Sequence, residues 1–143
     1  MRKITAKFCH ALASSVSFTQ GNTATQKVGD VNYGYLHNNL IAVVANNRLH
    51  IRTAGWESNT TKDRLNGLLQ YFDLPYSIVQ RNFIWYLYDE EGKEATPLHE
   101  CYKEEPTGDI LHARRFVHFN LTTKKLELTQ AQQMLTKFSI RFF

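Results

Sequence analysis

His112, Arg114 and His118 have the same parity in a run of strand-forming residues, Ile110 to Phe119. Alternate residues of a strand face one side, so the three would share a face. Two imidazoles and a guanidinium suit phosphodiester chemistry, as acid, base and charge clamp. The same pattern is also met as a plain polar strand face. His99-Glu100-Cys101 is the one compact metal-type cluster. Adjacent strand residues point opposite ways, so only His99 and Cys101 could converge there, and no metal is expected. The sequence holds no phosphate loop, dinucleotide fingerprint or nucleophile elbow, and no cofactor is expected. Asp89-Glu90-Glu91 and Glu104-Glu105 read as solubilising charge in loops.

Cations give a further candidate. Arg48 and Arg52 alternate with His50 on the outward side of a strand, and Lys62 and Arg64 fall in the first turns of the helix after it. Together they would make one basic surface around the Ser58–Thr61 turn. A free helix N-terminus beside them adds partial positive charge where a phosphate could sit. A solvated polar face is the competing reading.

The elements that must position these residues can be read from periodicity. Leu49, Ile51 and Thr53 share the apolar side of the Arg48–Thr53 strand. Ala54-Gly55-Trp56 ends it, since glycine permits backbone angles closed to branched residues. Ser58, Asn59, Thr60 and Thr61 can each cap a helix, and Asp63 is expected in its first turn. Leu65, Leu68, Leu69 and Phe72 follow at helical spacing, with Gly67 marking a close approach to another backbone or to Trp56. Asp73-Leu74-Pro75 stops the helix. Trp56 is expected to plug the core at the start of the leucine stripe.

Upstream, Ile4, Phe8, Ala11 and Leu12 form a helical stripe and Ser15 to Phe18 an extended run. Gly21 to Asp30 reads as a polar loop. Tyr33–His37 and Leu40–Val44 read as strands turning at Asn38-Asn39, with a second turn at Ala45-Asn46-Asn47. Tyr76–Gln80 and Phe83–Tyr88 make a hairpin around Arg81-Asn82. Both faces of the second strand are apolar, which predicts a central, covered strand. Residues 93–109 read as a surface excursion. Thr129 with Gln132 forms a capping-box pair before a short helix carrying Met134, Leu135 and Phe138, and residues 139–143 suit a last strand.

The 143 residues fit one domain, 1–143, and 43% hydrophobic with 21% charged residues is a globular composition. The formal charge of +4 permits an anionic partner. Met1-Arg2-Lys3 is followed by too short and polar a run for a secretory leader. No apolar segment approaches the roughly 20 residues of a membrane span. A cytosolic setting with Cys9 and Cys101 reduced is therefore expected. The architecture predicted is α+β: an antiparallel sheet of five to seven strands, a meander plus a hairpin, with two or three helices packed on one face.

One set of residues carries a resemblance. Thr53-Ala54-Gly55-Trp56, Ser58, Thr60-Thr61 and Arg64-Leu65-Asn66-Gly67-Leu68 are similar to the core motif of a family of small tailed-bacteriophage proteins. Tyr35-Leu36-His37-Asn38-Asn39, Ile41-Ala42 and Trp85-Tyr86-Leu87 fit the same pattern. The resemblance covers residues 14–88 and leaves 89–143 as a C-terminal extension. It implies a phage protein at work in the host cytoplasm and brings no activity with it. The leading expectation is a non-enzymatic accessory protein binding nucleic acid or a host protein of a nucleic-acid machine. The alternatives are an enzyme acting on a phosphodiester or nucleotide, and a minor virion or assembly component.

Overall fold

Phe8 and Leu12 lie one helical turn apart, and the helix that carries them is α1, Lys3–Ser14. It buries Thr5, Phe8, Cys9, Ala11 and Leu12 on one side and ends where Ser15 turns left-handed. Gly34 lies beneath it: a Cβ at that position would come within 2.7 Å of the Phe8 ring. The computed structural model describes residues 1–104 and 115–127.

Among the described residues eight strands form the larger sheet: β1 (Phe18–Gln20), β2 (Thr23–Val28), β3 (Val31–Leu36), β4 (Asn39–Ala45), β5 (Arg48–Ile51), β9 (Lys103–Glu104), β10 (Arg115–Asn120) and β11 (Lys125–Glu127). Their order is β1-β2-β3-β4-β5-β10-β11, with β9 paired to β10. Three more, β6 (Tyr76–Arg81), β7 (Ile84–Asp89) and β8 (Glu94–Pro97), form a second sheet with β7 central. All pairings are antiparallel. Helix α2, Asn59–Tyr71, joins the two sheets in sequence. Among the described residues no helix is long and apolar enough to cross a membrane.

The meander and the hairpin expected from periodicity are present as β3-β4-β5 and β6-β7, in a mostly antiparallel α+β fold. Several details differ. Two sheets replace the single sheet of five to seven strands, because the hairpin recruits β8 rather than joining the meander. The polar stretch read as a loop contains β2. Its buried residues are Thr23 and Thr25, whose hydroxyls donate to Asn22 Oδ1 and the Val16 carbonyl, both at 2.8 Å. Two hairpin turns sit one residue away from the expected place. Their centres are His37-Asn38 and Asn82-Phe83, all four with positive φ, as a tight primed turn demands. The excursion from residue 93 holds β8, a 3₁₀ turn at Leu98–Glu100 and β9. The capping-box pair Thr129 and Gln132, the stripe Met134, Leu135 and Phe138, residues 139–143, and residues 110–114 of the predicted strand lie outside the described residues.

On one face of the larger sheet, Leu36, Ile41, Leu49, Ile51, Val117 and Phe119 share a hydrophobic core with Phe8 and Leu12 of α1, Leu65, Leu68 and Leu69 of α2, and Ile78, Trp85 and Leu87 of the second sheet. The opposite face is buried too, around Leu40, Val43, Ala45 and Phe116. This corrects the half-buried reading of β5: His50, expected outward, is only 2% exposed.

Candidate functional site

Thr53 to Trp56 forms a tight left-handed turn. The Trp56 N–H donates to the Thr53 carbonyl at 3.0 Å, with Ala54 at φ +55° and Gly55 at φ +83°. Gly55 suits this backbone, and Ala54 adopts it at a cost of roughly 1–2 kcal/mol. The Thr53 N–H donates to the Tyr102 hydroxyl, 3.1 Å away, which anchors the turn to the body of the protein. Trp56 leaves the turn outward and is 60% exposed. The expected core plug is thereby corrected. Leu65 and Leu68 are covered by α1 and the sheets, and the turn directs the indole away from them.

A cavity of about 430 Å³ opens between this turn, the β3–β4 hairpin and the start of α2. Its apolar wall is Leu36, Ile41 and Trp56. His37 and Asn39 enter from the hairpin, and Thr53, Ser58, Thr60 and Thr61 from the turn and helix. Ser58 is the N-cap of α2, its Oγ accepting from the Thr61 N–H at 3.1 Å and lying 3.0 Å from the Thr61 hydroxyl. Two smaller cavities adjoin through Thr53. One is lined by Phe83, Ile84, Trp85 and His99, the other by Arg52, Gly55, His99 and Arg115. Phe83 stands 94% exposed at the β6–β7 tip with φ +65°, a backbone region that aromatic residues rarely occupy.

The predicted basic surface does not assemble. Arg64 is 2% exposed. Its Nη1 donates to Thr5 Oγ1 and Asp63 Oδ2, both at 2.8 Å, and its Nε to Thr23 Oγ1 at 3.2 Å. Thr5 also donates to Asp63. Asp63 lies past the first turn of α2 and serves this network rather than the helix dipole. Burial lowers the Arg64 pKa, an effect that Asp63 opposes. Arg48 pairs with Glu127 at 3.0 Å. Arg52 donates from Nε to the Leu40 carbonyl at 2.8 Å and lies over the Phe116 ring. Lys62 lies over the Trp85 ring, 5.5 Å from its centroid.

The polar network continues outward. Thr23 donates to Asn22 Oδ1 at 2.8 Å, so the Asn22 amide nitrogen is the group facing His37 Nε2 at 3.3 Å. An amide nitrogen only donates, which leaves the His37 proton on Nδ1. The His37 N–H donates to the Asn22 carbonyl at 2.8 Å. Buried Arg64 thus holds the cavity wall through two intermediates.

Of the catalytic candidates, His112 and Arg114 lie outside the described residues. His118 is 1% exposed. Its Nε2 donates to the Lys103 carbonyl at 2.8 Å, and its Nδ1 meets His50 Nδ1 at 2.5 Å. Both ring nitrogens are therefore engaged inside the fold. Burial, with His118 adding to it, pushes the His50 pKa down to about 3. Burial pushes both cysteine thiols up to about 12, so neither is a ready nucleophile. Among the described residues no group of three or more His, Cys, Asp or Glu gathers for a metal ion.

The sequence reading missed this cavity, though its nine lining residues fall within two stretches it had singled out, 35–42 and 53–68. The comparison with known families places the molecule among tailed-phage proteins. The chain belongs to the Kyanoviridae Gp96 protein family, which it matches over residues 1–108. No curated protein and no solved structure matches it.

Proposed function

We propose that the protein is a non-enzymatic phage accessory factor that binds single-stranded nucleic acid in the cytoplasm of the infected cell, through the face around the Thr53–Trp56 turn. The observation that supports this reading is the presentation of two aromatics, Trp56 at 60% and Phe83 at 94% exposure, by left-handed turns. Strained backbone that thrusts an apolar ring into water has a cost, and such cost is concentrated at functional sites. Base stacking on an aromatic side chain is worth about 1–3 kcal/mol per base and tolerates any sequence. Arg52 and Arg115 line the cavity beside the turn, and Lys62 sits over Trp85 next to Phe83. These cations are placed to follow a phosphate backbone.

Fluorescence anisotropy with labelled single-stranded DNA and RNA tests the reading. Binding should weaken as salt rises, and Trp56→Ala with Phe83→Ala should abolish it without changing the melting temperature. Absence of binding to both polymers at low salt ends the reading. Capture from infected cells would then take up a protein partner.

A further inference from the structure

We infer that the cavity beside Trp56 is a binding site for one nucleobase. Its volume, about 430 Å³, lies within the roughly 300–1,000 Å³ range of small-ligand sites. Among the described residues no lysine, arginine or carboxylate contributes to its lining, and the one imidazole there is His37. That composition selects against a strongly charged ligand head and favours a neutral ring. Buried Leu36 and Ile41 and the accessible indole of Trp56 supply apolar contact for ring faces. The rim supplies polar groups suited to a ring edge: the Asn39 carboxamide, the Thr60 hydroxyl and the Nδ1–H of His37.

An asparagine amide offers a donor and an acceptor side by side, the pattern of a base edge. Asn39 makes no side-chain hydrogen bond within the described residues that would consume that pattern. The site is also preorganised. Ser58 and Thr61 are locked in the helix cap, and His37 is held by Asn22 and, behind it, by Thr23 and Arg64. A rigid wall lowers the ordering cost of binding. The neighbouring cavity, which shares Thr53 and carries Arg52 and Arg115, offers positive charge to a phosphate attached to the base.

The base could come from a free nucleotide or from a single strand; only the second source rests on the function proposed above. The test titrates the full chain with nucleosides and nucleoside monophosphates, following the emission of Trp56. A parallel arm compares an oligonucleotide with an abasic one of equal length. Saturable quenching by the monomers is expected, weakened about tenfold by Asn39→Leu, as loss of a hydrogen-bonded pair should give. Thr60→Val serves as a second variant should the first fail to fold. No saturable change with any monomer at millimolar concentration, together with oligonucleotide binding that Asn39→Leu leaves unchanged, overturns the site; the single-strand reading stands in that case if base-bearing strands still bind more tightly than abasic ones. Monomer binding without oligonucleotide binding does the reverse.

Discussion

Helix α2 connects two polar regions built on opposite plans. Near its middle, Arg64 is sealed from solvent, and its charge is met by Asp63 and two threonine hydroxyls. Just before its first residue, Trp56 stands in water at the mouth of a cavity. A hydropathy argument predicts the reverse: cation outside, indole inside. The cation goes in because α2 turns residue 64 toward α1, where Thr5 joins Asp63 of its own helix in satisfying it; a buried charge persists only with such partners. The indole goes out because Ala54 and Gly55 both take positive φ and reverse the chain before Trp56. Turn geometry and partner supply, more than residue polarity, decide the inside from the outside here.

The largest expected effect breaks the first region. Arg64→Ala leaves Asp63, Thr5 and Thr23 without their shared donor, and breaking a buried pair costs about 3–5 kcal/mol. Asp63 is 25% exposed, so water relieves part of the loss and the lower end of that range is expected. Urea denaturation measures it. Arg64→Glu, which a surface role would leave stable, should unfold the protein more severely. An unchanged midpoint in either variant would show that the network does not support the fold. A partial loss of His37 order should accompany the milder Arg64→Lys, visible as a shift of its ring resonances.

A second effect concerns the other buried polar pair. His50 has its pKa pushed down from 6.5 to about 3 in the folded protein. The unfolded chain therefore binds a proton on His50 that the native state refuses between those values. Stability from this group is complete above pH 6.5 and is lost as pH falls toward 3. The slope is at most about 1.4 kcal/mol per pH unit. The coupled neighbour His118 donates from Nε2 to Lys103, so its Nδ1 accepts from His50. His50→Phe should flatten the acid limb of the stability curve between pH 6 and pH 4, roughly the middle of that titration window. An acid limb as steep as the wild type's would place the titration elsewhere.

Much of this architecture was legible in the residues. The leucine stripe of α2 and the Asn46-Asn47 turn follow from spacing and side-chain chemistry, and the structure has them as expected; of the four capping candidates it takes Ser58. Gly67 does mark a close approach, though to the Thr5 and Cys9 side chains of α1 rather than to another backbone or to Trp56. The burial of His50 was readable as well, though indirectly. The near-continuous apolar run of β4, Leu40 to Ala45, signals a strand covered on both faces, and its neighbour β5 must share that cover. What could not be read was the cavity. Periodicity reports which side of an element a residue takes, whereas the cavity depends on two segments meeting after β4 and β5 have paired. The destination of Arg64 was hidden for the same reason, since its partners Thr5 and Thr23 are remote in sequence.

The smallest effect on stability, and the sharpest on the comparison, belongs to Trp56. The protein has two tryptophans, and Trp85 is 4% exposed. Iodide should therefore quench one part of the native emission and spare the other, and the spared part should be shifted to the blue. Trp56→Phe should remove the quenchable part alone. A side chain that buries little surface contributes little to folding, so Trp56→Ala should change stability by no more than about 0.5 kcal/mol. A loss of about 3 kcal/mol or more, the cost of emptying an aromatic core site, would mean that the indole closes over the leucine stripe in solution. The cavity would then lack its aromatic wall, and the binding role argued for this face would fall with it. Retained stability together with lost ligand binding separates the two regions fully, with Arg64 serving the fold and Trp56 serving the contact.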